Sequence, residues 1–249
     1  MKNDLYRVAI VGAAGLKGRE LGDVLNERNF PAADIRLLDD DESLGQLEGV
    51  GEEASFVQAV RAEQFEHVDF AFFACDEAFT RQHWKLARSA GSSVIDLSYA
   101  LEDEPHMTIR APWVEREMGL AQTADLEASS AIVAHPAAVT LDMLLLRARK
   151  AGALRSLSAV VFEPVSERGK RGMDELHEQT INLLSFQNMP KNVFDAQVAF
   201  SMLSRLGEHA GISLEAVERR ILKHYHAITQ GQAPVPSLML VQSPIFHAH

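Results

Sequence analysis

Apolar positions fall along this chain in two ways, as short unbroken runs and at helical spacing near 3.6. Tyr6-Arg7-Val8-Ala9-Ile10-Val11 is a short β-branched run that stops at Gly12-Ala13-Ala14-Gly15-Leu16-Lys17-Gly18. From residue 19 to 29 the apolar side chains recur at helical spacing as Leu21, Val24 and Leu25. This predicts strand, glycine turn and helix. Ile35-Arg36-Leu37-Leu38 reads as a second strand, Asp69-Phe70-Ala71-Phe72-Phe73-Ala74 as a buried one and Ser93-Val94-Ile95-Asp96-Leu97 as another, with a helix over residues 80–90 between the last two. Strands that alternate with helices pair in parallel through right-handed crossovers, so a Rossmann-like, doubly wound α/β sheet is predicted.

Past about residue 134 the texture changes. Residues 139–151 read as a helix, 157–165 as a strand, Gly169-Lys170-Arg171-Gly172 as a loop and 173–186 as a helix. A loop carrying Pro190 follows, then a helix over 213–226 with Ser213 as its N-cap, and 238–241 and 244–246 as closing strands. The pattern places one domain in residues 1–133 and an α+β domain in residues 134–249, with no repeat or low-complexity linker between them.

Composition narrows the function. A chain of 249 residues, 47% hydrophobic, has enough apolar surface for one large domain or two modest ones. Its formal net charge of -11 repels phosphate backbones, so nucleic acid is not an expected partner. No apolar run approaches the roughly 18–20 residues of a membrane span, and no leader pattern opens the chain, so no membrane association and a cytoplasmic location are expected. The single cysteine, Cys75, excludes an internal disulfide and a cysteine-based zinc site.

The candidate chemistry begins at the first turn. Gly12, Ala13, Gly15, Leu16 and Gly18 lie where a strand meets a helix, and glycines there let backbone approach a pyrophosphate at a helix N-terminus. They also suit close packing of helix on strand, and both readings stand. Asp39, about twenty residues on in Leu38-Asp39-Asp40-Asp41-Glu42, is placed to accept from ribose hydroxyls and to repel a 2′-phosphate, which favours NAD over NADP; the alternative is a solvated acidic loop. Cys75 ends a predicted strand, as a substitute thiol or as an inert buried one. His224, His226, His247 and His249 lack the cysteine or carboxylate spacing of a metal site, so no metal is expected. Trp84 and Trp113 read as packing residues.

Gly12 to Gly18, Glu27-Arg28-Asn29-Phe30-Pro31, Val94-Ile95-Asp96-Leu97-Ser98 and above all Gly169-Lys170-Arg171-Gly172-Met173-Asp174-Glu175-Leu176-His177-Glu178-Gln179-Thr180 occur in the order seen in aspartate-semialdehyde dehydrogenases. The chain resembles that family from Val8 to His249, and within it the cysteine-lacking, Usg-type branch. The resemblance implies a nicotinamide domain followed by a substrate and dimerisation domain, a homodimer, a small-molecule ligand, and a family reaction in which a cysteine thiolate takes part in reductive dephosphorylation of aspartyl phosphate. It also implies more sheet and a final helix after the position of His249.

Position by position, the resemblance implies a site stripped of its chemistry. The family's Asn-Cys falls on Ala137-Ala138, and a methyl group has no lone pair to attack with. The active-site glutamine falls on Glu163, the phosphate-gripping arginine on Glu102, the second phosphate cation on Glu218 and the carboxylate-binding arginine on Gln242. Glu215 keeps the family acid and His249 the acid/base histidine. Two unit charges about 4 Å apart interact by roughly 1 kcal/mol in water and about 4 kcal/mol at an effective dielectric of 20, so exchanging cations for glutamates turns attraction into comparable repulsion. The expectation is an NAD-binding, dimeric protein that does not reduce aspartyl phosphate. Two alternatives remain open: an NAD-dependent oxidoreductase acting on a different aldehyde or oxo compound, and a structural or regulatory partner that binds no nucleotide.

Overall fold

The structure, a computed structural model, describes residues 5–50, 53–119, 130–152, 154–231 and 233–247. These fall into two compact units: the described residues within Met1–Arg110 and Ala121–Val133, and those within Ala111–Leu120 and Ala134–His249.

The first unit is built on β1 (Tyr6–Val11), α1 (Leu16–Glu27), β2 (Ala32–Asp39), a small antiparallel hairpin β3 (Leu47–Val50) and β4 (Glu53–Phe56), β5 (Gln58–Ala59), β6 (Phe70–Phe73), α2 (Glu77–Ser89), β7 (Ser93–Asp96), β8 (Met107–Arg110) and β9 (Ser130–Val133). Seven strands form one sheet in the order β5-β2-β1-β6-β7-β9-β8, and every pairing in it is parallel. The alternation of side chains between the two faces explains why β1 sits inside the sheet, between β2 and β6. Val8 and Ile10 pack with Leu25 of α1, while Ala9 and Val11 pack with Ala87 of α2, so the strand is apolar on both faces and must be covered on both. The parallel doubly wound sheet expected from the alternation is therefore present.

The second unit holds α3 (Pro112–Glu117), α4 (Pro136–Ala151), β10 (Ser158–Glu163), a short 3-10 turn (Val165–Arg168), α5 (Gly169–Leu184), α6 (Leu214–Thr229) and β11 (Ser237–Gln242). β10 and β11 pair in parallel, and α4 and β11 each pack against α6. Ser213 caps α6, its hydroxyl accepting from the Ala216 amide at 3.1 Å.

Two local expectations are corrected. Gly169-Lys170-Arg171-Gly172 is no loop but the first turn of α5. Gly172 is there for proximity, because a Cβ would stand 2.6 Å from the Val165 carbonyl oxygen. Residues 244–246 form no strand; Pro244 has no amide to donate, which ends the ladder at Gln242. The two chains nonetheless stay paired, Val165 donating to Ile245 at 2.9 Å and Ser166 to Phe246 at 3.0 Å.

Candidate functional site

The sequence-predicted residues divide between the units. In the first, β1 runs into the glycine turn. Gly12 adopts φ 89°, and a Cβ on it would lie 2.7 Å from the Cys75 amide nitrogen and 2.9 Å from the Cys75 Cα, so both backbone strain and space demand glycine. A Cβ on Gly18 would collide with the Gly12 carbonyl oxygen, which is why α1 can start so close to the strand end. Gly15 is the N-cap of α1, and no described side chain caps that helix. Leu16, Lys17 and Gly18 thus present first-turn amides at the positive end of the helix, where an anionic group is favoured.

Asp39 closes the turn from the other side. Its Oδ2 accepts from the Ala14 amide at 2.8 Å and its Oδ1 from the Asp40 amide at 2.9 Å. Burial raises its pKa, and the two amides partly offset this. Gly12 and Ala13 donate to the Leu38 carbonyl at 2.8 and 3.1 Å, so the turn is held by the very strand that carries Asp39. Asp96, at the end of β7, is fully buried and accepts from the amides of Ser98 and Leu101 at 2.7 and 2.9 Å. This folds the loop that leads to Glu102 and places the Tyr99 ring 5.6 Å from the Lys17 ammonium.

Cys75 touches this turn but is not armed. Burial pushes its thiol up to about 12, and its Sγ lies 3.1 Å from Thr80 Oγ1. At neutral pH the group is a thiol and not a thiolate, hence a poor nucleophile.

In the second unit, His135 caps α4, its Nδ1 accepting from the Ala137 amide at 3.2 Å, and Pro136 takes the first helical position. The His135 amide donates to His224 Nδ1 of α6 at 2.9 Å. Ala138 follows in the first turn of α4, fully buried. Glu163 and Gln242 are register partners at the carboxyl ends of β10 and β11. Glu163 is buried and lies 3.0 Å from Arg168 Nη2; burial raises its pKa, which Arg168 pulls down and Glu167 pushes up. Gln242 donates through Nε2 to the Glu163 carbonyl at 2.9 Å. Glu218 accepts from the Leu240 amide at 2.7 Å and so satisfies a backbone donor of β11. Glu215 stands apart, exposed, 3.4 Å from Arg205 beside a cleft of about 330 Å³. His249 lies outside the described residues. Among the described residues no group of three or more His, Cys, Asp or Glu gathers as a metal site, and no helix is long and apolar enough to cross a membrane.

Reading the sequence alone missed several residues with clear duties. Glu175 and Gln179 of α5 are buried: Glu175 accepts from the amides of Asn192, Val193 and Phe194 at 2.6, 2.7 and 3.2 Å, and Gln179 accepts from Val198 and Ala199 at 2.8 and 3.1 Å. Their spacing of four on one helix face was the available signal. Asp142 and Arg168 were missed as well, and only burial singles them out.

A parallel sheet whose first turn is glycine-rich, with an acid at the end of the second strand, places the first unit in the doubly wound class to which dinucleotide-binding domains belong. Comparison with known proteins gives it a family. Residues 7–122 match the semialdehyde dehydrogenase NAD-binding domain. The chain is 34% identical to a USG-1 protein homolog of Pseudomonas aeruginosa, over 96% of this chain and 70% of that protein. It is 27% identical to an aspartate-semialdehyde dehydrogenase of Rickettsia bellii over 98% of this chain and 71% of that one. Among solved structures, a probable aspartate-semialdehyde dehydrogenase from Pseudomonas aeruginosa superposes with a TM-score of 0.84 at 32% identity, covering 98% of this chain and 72% of that one. Aspartate semialdehyde dehydrogenase II from Vibrio cholerae, complexed with ASA, shares the fold with a TM-score of 0.83 at 23% identity, covering 98% and 71% of the two chains. The chain belongs to the aspartate-semialdehyde dehydrogenase family, alongside its USG-1 homologues.

Proposed function

We propose that this protein holds NAD(H) at the glycine turn, with NADP disfavoured, forms a homodimer, and does not catalyse the semialdehyde dehydrogenase reaction. What carries the reading is Ala138, a buried methyl in the first turn of α4 where the family resemblance puts the cysteine. No base can ionise it. Cys75 offers no substitute, since burial keeps its sulfur protonated. Glu218 and Gln242 replace cations in the resemblance, and both are spent on hydrogen bonds to backbone. The uncapped first turn of α1 supports a bound pyrophosphate. Asp39, flanked by Asp40 and Asp41, supports the preference for a ribose without a 2′-phosphate.

The experiment has two arms. Calorimetric titration with NAD should give saturable binding, and Gly12→Val should weaken it at least tenfold, because a branched side chain at φ 89° runs into Cys75. Aspartate semialdehyde, phosphate and NAD or NADP together should yield no reduced cofactor above the protein-free rate. Turnover that is lost when His249 is replaced would sink the second arm while leaving the first intact.

A further inference from the structure

A second cleft, of about 220 Å³, lies within the first unit and away from the glycine turn. Met107 opens β8, Ser130 opens β9 and Arg88 stands in the last turn of α2, so the cleft sits at the amino ends of the parallel strands. Gly12, by contrast, follows the carboxyl end of β1. Trp84 and Met107 give the cleft an apolar wall, and both pack against the core of that unit. Arg88 and Glu104 bring opposite charges to the same cleft, and no ion pair joins them among the described residues. His106, at φ 71°, turns the loop that brings Glu104 and Met107 there. Ser130 is only 3% exposed, and its Oγ accepts from Arg88 Nη1 at 3.1 Å and from the Val94 amide at 3.3 Å, which uses both lone pairs. Its hydroxyl proton, in the wall of the cleft, is left with no acceptor among the described residues. A buried donor of this kind calls for a partner.

We propose that this cleft binds a free α-amino acid with a branched apolar side chain. Its carboxylate accepts from Arg88 and from the Ser130 hydroxyl, its ammonium donates to Glu104, and its side chain lies against Trp84 and Met107. The site goes beyond the nucleotide reading and adds a second ligand to the same unit. Volume sets the size: about 220 Å³ falls below the roughly 300–1,000 Å³ of pockets for drug-sized ligands, which suits a small metabolite and excludes a dinucleotide. Charge sets the class. A lone carboxylate or a phosphate would satisfy Arg88 but meet repulsion from Glu104 and from the carbonyl end of α2. A lone amine would leave Arg88 and the Ser130 proton without an acceptor. A zwitterion answers both ends, and the apolar wall favours a hydrocarbon side chain over a charged one.

L-leucine is the probe, titrated calorimetrically into the full chain beside 4-methylpentanoate, which lacks the ammonium, and L-leucinamide, which lacks the carboxylate charge. L-leucine should saturate and bind roughly tenfold or more tightly than either analogue. Arg88→Met should weaken L-leucine by about tenfold and erase its advantage over L-leucinamide; Glu104→Gln should do the same against 4-methylpentanoate. Trp113→Phe leaves Trp84 as the sole tryptophan, and L-leucine should change its emission with the midpoint of the heat signal. Arg88 is exposed and Glu104→Gln is near-isosteric, so thermal melts should show both variants folded, and either one carries the test if the other fails to fold. No saturation at millimolar L-leucine, equal affinity for the three probes, binding that both variants leave intact, or unchanged Trp84 emission overturns the inference. NAD titrated in parallel reports on the glycine turn alone, which separates failure of this site from failure of the nucleotide reading.

Discussion

Asp142 lies one helical turn beyond Ala138 on α4, fully buried, and neither carboxylate oxygen finds a hydrogen-bond partner among the described residues. Burial pushes its pKa up to about 8. The same burial, with Asp142 adding repulsion and Arg149 opposing it, pushes Tyr225 of α6 up to about 12. An acid whose folded pKa exceeds its unfolded value of roughly 3.9 binds its proton more tightly when folded. Its contribution to stability is therefore complete below about pH 4 and is lost as pH rises through about 8. Asp142→Leu removes both the proton linkage and the desolvated charge. In urea titrations at pH 5, 7 and 9, the wild-type midpoint should fall relative to that of Asp142→Leu, with the variant ahead at pH 9 by on the order of 3–5 kcal/mol. Asp39 and Glu163 are raised too, so the comparison with the variant, not the wild-type slope alone, isolates Asp142.

At the scale of elements, α5 acts as a clamp. Glu175 and Gln179, one turn apart, take up the amides of residues 192–194 and 198–199, and Gln179 Nε2 adds bonds to the Pro190 and Ala196 carbonyls at 2.8 and 2.9 Å. This ties down a long connection with little regular structure by giving its backbone groups partners inside the fold. Glu175→Ala should cost about 2–3 kcal/mol, since it strips partners from buried amides. Hydrogen exchange should show Asn192, Val193 and Phe194 losing protection while the α6 amides keep theirs. The motif that carries these residues was visible in the sequence, but its role was not, because hydrogen bonds to backbone leave no periodic trace. The central strands and the helices that cover them were legible because burial on two faces imposes strong patterning, as at Val8 to Val11. β8 and β9 are no shorter than β6 and β7 but went unread: β8 has no fully buried position and β9 opens on a serine, so neither shows the apolar run that marks a covered strand. α3 did announce itself through Pro112 at its first position and Glu115 in its first turn, a helix-start signal passed over.

At the scale of the whole molecule, β10 and β11 form a two-stranded parallel sheet among the described residues, with α6 against β11 and Leu203 bridged to Gln242 at its end. Along the pair, Val160 faces Met239 in register and Phe162 follows two residues on; Val160 and Phe162 are each more than half exposed. Parallel strands are ordinarily covered on both faces, and this apolar strip supports the proposed homodimer. Phe162→Glu should shift the sedimentation coefficient to that of a monomer with NAD affinity unchanged; a wild-type monomer would refute the assignment. The site was legible only as a set of expected departures from the family: which of those side chains make structural bonds depended on contacts between distant segments, such as Glu218 with Leu240. That bond bears on any attempt to rebuild the site. A lysine at 218 would strip the Leu240 amide of its acceptor, and an arginine at 242 would give up the two carbonyl contacts of the present amide. A thiol placed at 138 would therefore not restore the site expected from the family by itself, because cations at 218 and 242 would each first have to displace a side chain that the present backbone uses.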